Sequence, residues 1–185
     1  VGGTFNSASD GSCFSSIGGG CLNIISGSSN ACFSFIGGGL QNTSSRCYNV
    51  VVGGQKNFVA STYGRSAIVG GCNNKICSNF SGYGFIGGGS GNTISQMYNG
   101  SSIVVGGAQN VNSGYGFNFM GGGNNNQIAG GAGNAFLGGG YRNNVSGSHS
   151  VIVGGCKNKI CNNETKSSIV GGSCNTIDGD CSFIG

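Results

Sequence analysis

Hydrophobic and polar positions recur along this chain in one fixed frame. An aliphatic residue stands two places before a Gly-Gly doublet, an Asn three places after it, and a further aliphatic residue two places beyond the Asn. The first aliphatic set is Ile17, Ile36, Val51, Ile68, Ile86, Val104, Met120, Leu137, Ile152 and Ile169, with Ile184 opening one more copy. The Asn set is complete: Asn6, Asn23, Asn42, Asn57, Asn74, Asn92, Asn110, Asn126, Asn143, Asn158 and Asn175, separated by 15 to 19 residues. The second aliphatic set is Ile25, Val59, Ile76, Ile94, Ile128, Val145, Ile160 and Ile177. Segments such as Ser34–Gly37 and Ser66–Val69 have the β-branched content and period-2 alternation of short strands. Dense glycine and the lack of an i, i+3, i+4, i+7 recurrence argue against helix. The doublet supplies a tight bend, and Asn-x-Ile a second short strand.

A fixed period of this kind belongs to stacked architectures in which no unit folds alone. The chain is therefore expected to be all-β, a parallel β-solenoid of about eleven coils with one coil per repeat of about 17 residues, 1–185 forming one array cut from a longer one. At about 4.8 Å per coil the rod would be on the order of 50 Å long. Aliphatic side chains would stack into ladders. The Asn side chains would form a ladder too, bonded amide to amide along the axis. Stacked carboxylates would repel at that spacing, which accounts for the absence of Asp from the eleven positions.

The residues flanking the first aliphatic position point away from it on the strand's other face. They exchange volume: Phe35, Phe85, Phe119, Phe136 and Phe183 each pair with Gly two places on, whereas Val50, Val151 and Ile103 pair with Val. Close-packed surfaces behave this way. A strand apolar on both faces is expected to be buried on both. A thin coil covers only one, so these Phe residues are expected to lie on an oligomer face, with a parallel homotrimer as the leading arrangement and a wider monomeric solenoid as the alternative.

Composition narrows the chemistry. Forty-two Gly, no Pro and 6% charged residues would suggest disorder if scattered, yet the glycines are in register. The net charge of +4 is spread over eight Lys and Arg without a basic run, so no nucleic-acid surface is expected, and no apolar stretch is long enough for membrane insertion. Carboxylates are limited to Asp10, Glu164, Asp178 and Asp180, too few for a calcium-binding nonapeptide roll or for paired-carboxylate catalysis. No Walker-type Lys follows the glycines, and the single His149 has no ligand set beside it in sequence. No catalytic residue, metal site or cofactor is therefore predicted, and no enzyme.

Ten cysteines remain. Cys13 and Cys32 share a coil position with Cys47, while Cys72/Cys77 and Cys156/Cys161 repeat a Cys-x4-Cys frame, so these are the candidates for disulfides, against the alternative of small buried hydrophobes. Asn-x-Ser/Thr sequons occur at Asn42, Asn79, Asn99, Asn144 and Asn163, and Tyr63, Tyr83, Tyr98 and Tyr115 fall in the variable connections, where aromatic rings could meet sugars.

In Ser34-Phe35-Ile36-Gly37-Gly38-Gly39-Leu40-Gln41-Asn42 and in Phe85–Ile94 the chain resembles the Ser-x-Ile-Gly-Gly-Gly-x-x-Asn-x-Ile arrays of bacteriophage and giant-virus fibres and, more loosely, the YadA-like head repeats of trimeric autotransporter adhesins. The resemblance covers the whole chain and implies an elongated, trimeric, left-handed parallel β-roll on a virion or other extracellular surface. The expected function is a structural fibre or adhesin shaft that spaces or presents a receptor-binding region. Its partners would be itself, end to end in a filament as well, and a cell-surface glycan or protein receptor. The competing reading is a glycan- or ice-binding solenoid whose repeated face is the ligand surface, although the six threonines show no common register in the sequence.

Overall fold

A computed structural model of the chain describes residues 2–9, 11–27, 32–61, 65–78, 82–95, 100–162 and 165–185. These residues form a parallel β-solenoid without a helix among them. Two sheets of eleven strands each run its length, and every strand but the first and last of each sheet pairs with the equivalent strands one coil before and after. The front sheet comprises the strands that lead into the glycine doublets, from Ser16–Ile17 to Phe183–Ile184. The back sheet comprises the strands that follow the Asn residues, from Ser7–Ala8 to Thr176–Ile177.

Register follows the repeat. In the front sheet Ile17 pairs with Ile36, Ile36 with Val51 and Val51 with Ile68, and the column continues unbroken to Ile184. In the back sheet the column is Ala8, Ile25, Ser44, Val59, Ile76, Ile94, Asn112, Ile128, Val145, Ile160 and Ile177. Both columns face the interior, and nearly every aliphatic member is fully buried. With strands of two to five residues, no coil has a core of its own. Apolar burial accumulates between coils at about 25 cal/mol per Å².

The two glycines of each doublet have different reasons to be there. The second adopts positive φ, as at Gly39 (96°), Gly71 (84°) and Gly155 (92°). A Cβ there would lie about 2.2 Å from the carbonyl oxygen of the equivalent glycine in the next coil, 2.2 Å at Gly39 and Gly155 and 2.1 Å at Gly71. Only glycine lets successive turns nest at this distance. Except at Gly88 and Gly122, where φ is 159° and 145°, the first glycine is free of both constraints. At Gly19, Gly70, Gly106, Gly154 and Gly171 φ is not positive, and an added Cβ would meet nothing within 4 Å.

Candidate functional site

The Asn ladder lies at the entrance to the back strands. Its geometry differs from the amide-to-amide stack expected from the sequence, because most of its bonds go to backbone. From Asn23 to Asn175 each backbone N–H donates to Oδ1 of the Asn one coil earlier, at 2.9–3.1 Å. Each Nδ2 donates to the carbonyl of the first doublet glycine four residues before it and, up to Asn158, to that of the second glycine in the next coil. For Asn110 these acceptors are Gly106 and Gly123, both at 3.0 Å. Direct amide-to-amide bonds are the lesser part, as between Asn110 and Asn92 at 3.1 Å. The pattern excludes Asp on stronger grounds than repulsion between carboxylates. A carboxylate has no donor for the two glycine carbonyls.

Each Asn follows a residue in the left-handed region. Ten of these eleven residues are not glycine, among them Phe5, Leu22, Lys56 and Arg142 with φ between 54° and 56°. Their side chains project into solvent at the corner.

A second polar ladder, not recognised in the sequence, enters the front strands: Ser34, Asn49, Ser66, Ser102, Asn118, Ser150 and Ser167, all buried. Asn49 N–H donates to Ser34 Oγ (3.3 Å), Ser66 N–H to Asn49 Oδ1 (3.3 Å) and Ala135 N–H to Asn118 Oδ1 (2.9 Å). Two half-coils thus share one plan, a polar residue that hands a bond to the next coil followed two residues later by an aliphatic one. Its signal is Ser or Asn two places before nine of the eleven front-strand aliphatic residues, with Gly84 and Ala135 at the other two, and the mixed residue types conceal it.

Apart from Ser16 and Ser168, the outward residues of the front strands are apolar, and nothing within the chain covers them. Phe35, Phe85, Phe136 and Phe183 are exposed, as are Val52, Val69, Val105, Val153 and Val170 at 45–50% of their surface, while Phe119 is half-buried. Phe119 and Phe136 stack with centroids 5.3 Å apart. Beside them Ser101, Ile103, Phe117, Asn118, Ala135 and Phe136 line a depression of about 340 Å³.

The Phe/Gly exchange has a cause inside the strand itself. A Cβ on Gly37 would lie 3.4 Å from Cε1 of Phe35, and one on Gly138 would lie 3.3 Å from Cε1 of Phe136, so each ring covers its own glycine. The same Cβ atoms would also stand 2.3 Å from the carbonyl oxygens of Val52 and Val153. Volume compensation therefore does not require a second molecule. What remains for a partner to explain is the exposure of a continuous apolar face.

The outer face of the back sheet carries Ile24, Thr43, Phe58, Lys75, Thr93, Val111, Gln127, Asn144, Lys159 and Thr176 at one aligned position. Thr43, Thr93 and Thr176 thus do share a register, contrary to the expectation from the sequence. Phe58 and Lys75 separate the first two, and no continuous threonine ladder forms.

Among the candidate disulfide residues, Cys13, Cys32, Cys72, Cys77, Cys156 and Cys161 are all free thiols. Cys13 and Cys32 occupy adjacent coils, where Cβ vectors run parallel, an unfavourable geometry for bridging. Cys72 and Cys156 belong to one column of bridge residues but are five coils apart. Burial pushes the Cys77 thiol above its usual range, partly offset by Lys75, which leaves it a weaker nucleophile at neutral pH. Of the sequons, Asn42 is buried in the ladder and Asn144 is half-buried, while Asn79, Asn99 and Asn163 lie outside the described residues, as do Tyr63 and Tyr98. Among the described residues no group of three or more His, Cys, Asp and Glu gathers, and no helix is long and apolar enough to cross a membrane.

Protein-family models give no match to the chain, and neither do curated proteins.

Proposed function

We propose that this chain is a non-enzymatic shaft segment of a fibre or adhesin on a virion or cell surface, which associates with its own copies through the outer face of the front sheet and spaces or presents a receptor-binding region. The apolar face running from Phe35 to Phe183 along a thin rod, broken only by Ser168, carries this reading. A strip about 50 Å long and roughly 15–20 Å wide offers on the order of 800 Å² per copy, the size at which specific association begins to be stable. An identical rod is the natural occupant, since it presents a strip of the same length and coil spacing. Parallel copies around a threefold axis bring equivalent layers together, Phe against Phe and Val against Val.

The open first glycines support close approach from outside. Glycine whose missing side chain would clash with nothing in its own chain marks a place where another backbone comes near. Sedimentation velocity or native mass measurement on the folded chain tests the proposal. A stable trimer is the expected result, and a monomer at micromolar concentration would overturn it.

A further inference from the structure

The charged residues gather on one flank in a way their scatter along the sequence conceals. No Asp or Glu occurs between Asp10 and Glu164, while Arg46, Lys56, Arg65, Lys75, Arg142, Lys157 and Lys159 all fall in that interval. Five of the seven lie on the flank formed by the back sheet and the corner leading into it. Lys56, Arg142 and Lys157 are the exposed left-handed residues just before the ladder Asn, and Lys75 and Lys159 point outward from back strands. Register places them in two groups. Lys75 pairs with Phe58, two residues after Lys56, so both lysines stand on adjacent coils. Asn144 pairs with Lys159, which sets Arg142 beside Lys157 one coil on. Four coil steps, roughly 20 Å, separate Lys75 from Arg142 along the axis. Nothing acidic lies between the two groups; the exposed Asp178, two residues past the Thr176 that pairs with Lys159, offsets the positive field only at the far end.

We propose that this flank binds an acidic polysaccharide lying along the rod, with its carboxylate or sulfate groups at Lys56 and Lys75 and at Arg142, Lys157 and Lys159. Amide and hydroxyl side chains between the groups, including Thr93 and Gln127, suit sugar hydroxyls. Nucleic acid fits less well because single-stranded recognition needs free aromatic faces for base stacking. The two rings beside these cations are already occupied: Lys75 Nζ lies 5.8 Å from the Phe58 centroid and Arg142 Cζ lies 5.0 Å from that of Tyr141, while the exposed Phe5 at the same corner stands three coils before Lys56. The inference names a ligand class for the shaft and takes its surface setting from that reading, but the binding itself requires no self-association.

The test measures binding of the folded chain to polygalacturonate, dextran sulfate, neutral dextran and oligothymidylate. Acidic polysaccharides should bind at low ionic strength and be released as salt rises through about 0.15 M, where the Debye length is about 8 Å. The polygalacturonate and dextran sulfate arms separate carboxylate from sulfate recognition. Replacing all five cations by Gln should weaken binding by roughly tenfold or more. Such a variant should fold, because Gln41 and Gln109 already hold the corner position and Gln127 the outward one. Arg46→Gln with Arg65→Gln, away from the flank, should leave binding unchanged. Equal binding of neutral dextran, tighter binding of oligothymidylate, no binding at low salt, or full binding by the fivefold variant would each overturn the proposal. Sedimentation of the same variants reads self-association separately, so one idea can fail without the other.

Discussion

The front and back sheets are built on the same coil path, yet they are held together differently and look outward differently. The front sheet has an unbroken aliphatic column inside and an apolar surface outside, and its polar ladder mixes Ser, Asn, Ala and Gly. The back sheet has an interior column interrupted by Ser44 and Asn112 and a largely polar surface, and its ladder is Asn at every coil. Each half-coil makes up with one kind of interaction what it lacks in the other. Only the front sheet carries more apolar surface than its own coil uses. That excess is the physical mark of an association surface.

The strongest way to break this comparison is to charge the two outer faces in turn. Val52→Asp, Val105→Asp and Val153→Asp together place three carboxylates on the front face and should abolish self-association. Thr43→Asp, Thr93→Asp and Thr176→Asp put the same charge on the back face and should leave the oligomer intact. Sedimentation distinguishes the two sets, and equal effects would mean that the faces do not differ in role.

The ladders sharpen the contrast next. Asn110→Ala would strip the Asn126 N–H of its acceptor at 2.9 Å, take the Nδ2 donor from the Gly106 carbonyl and leave the Gly123 carbonyl with the Ala108 N–H alone. With buried groups left unpaired, the cost should be about 3–5 kcal/mol. Ser150→Ala removes one acceptor for the Ser167 N–H at 3.3 Å, and Ala135 already occupies the equivalent place. Its cost should be near 1 kcal/mol. Urea unfolding of both variants supplies the comparison, and a loss for Ser150→Ala as large as that for Asn110→Ala would show the two ladders to be equivalent.

A smaller effect is expected within the front strand. Gly37→Val should cost about 2–4 kcal/mol, because its Cβ would meet both the Phe35 ring and the Val52 carbonyl. Adding Phe35→Val relieves the ring contact and should recover only part of the loss. Complete recovery in thermal unfolding would mean that the strand relaxes to the backbone of its Val/Val neighbours, and that the carbonyl contact is not limiting.

Much of this architecture was legible in the sequence because each coil repeats the same physical demand. Ile and Val at fixed spacing, a doublet whose second glycine needs positive φ, and Asn at every turn each report a constraint that one residue type satisfies best. The left-handed corner was not legible: Phe5, Leu22, Gln41 and Lys56 are residues that rarely adopt φ near 55°. Their conformation is imposed by the bonded turn that follows, at a cost on the order of 1–3 kcal/mol each. The serine ladder escaped notice because a hydroxyl, an amide or even Ala serves at that place. The cationic flank was hidden for a different reason, since residues 17 apart in sequence become neighbours only after coiling.

Asn112 offers the finest probe of how the back sheet tolerates an imperfect interior. It stands between Ile94 and Ile128 in the inner column, fully buried, with neither Nδ2 nor Oδ1 hydrogen-bonded. A buried amide without partners costs about 1–3 kcal/mol, whereas an aliphatic side chain there would extend a ladder already formed on both sides. Asn112→Ile should therefore stabilise the rod by about 1–2 kcal/mol, reduced by whatever strain the extra branch introduces beside Ile128. The front sheet supplies the control, because its inner column has no polar member to replace: Val104→Asn should destabilise the fold by at least as much as Asn112→Ile strengthens it. A higher melting temperature for Asn112→Ile with unchanged sedimentation would place the weakness inside the coil and leave the outer faces unaffected. A lower one would mean that Asn112 is paired in solution, for instance with a trapped water, and that the back sheet's interior is better satisfied than its residue types suggest.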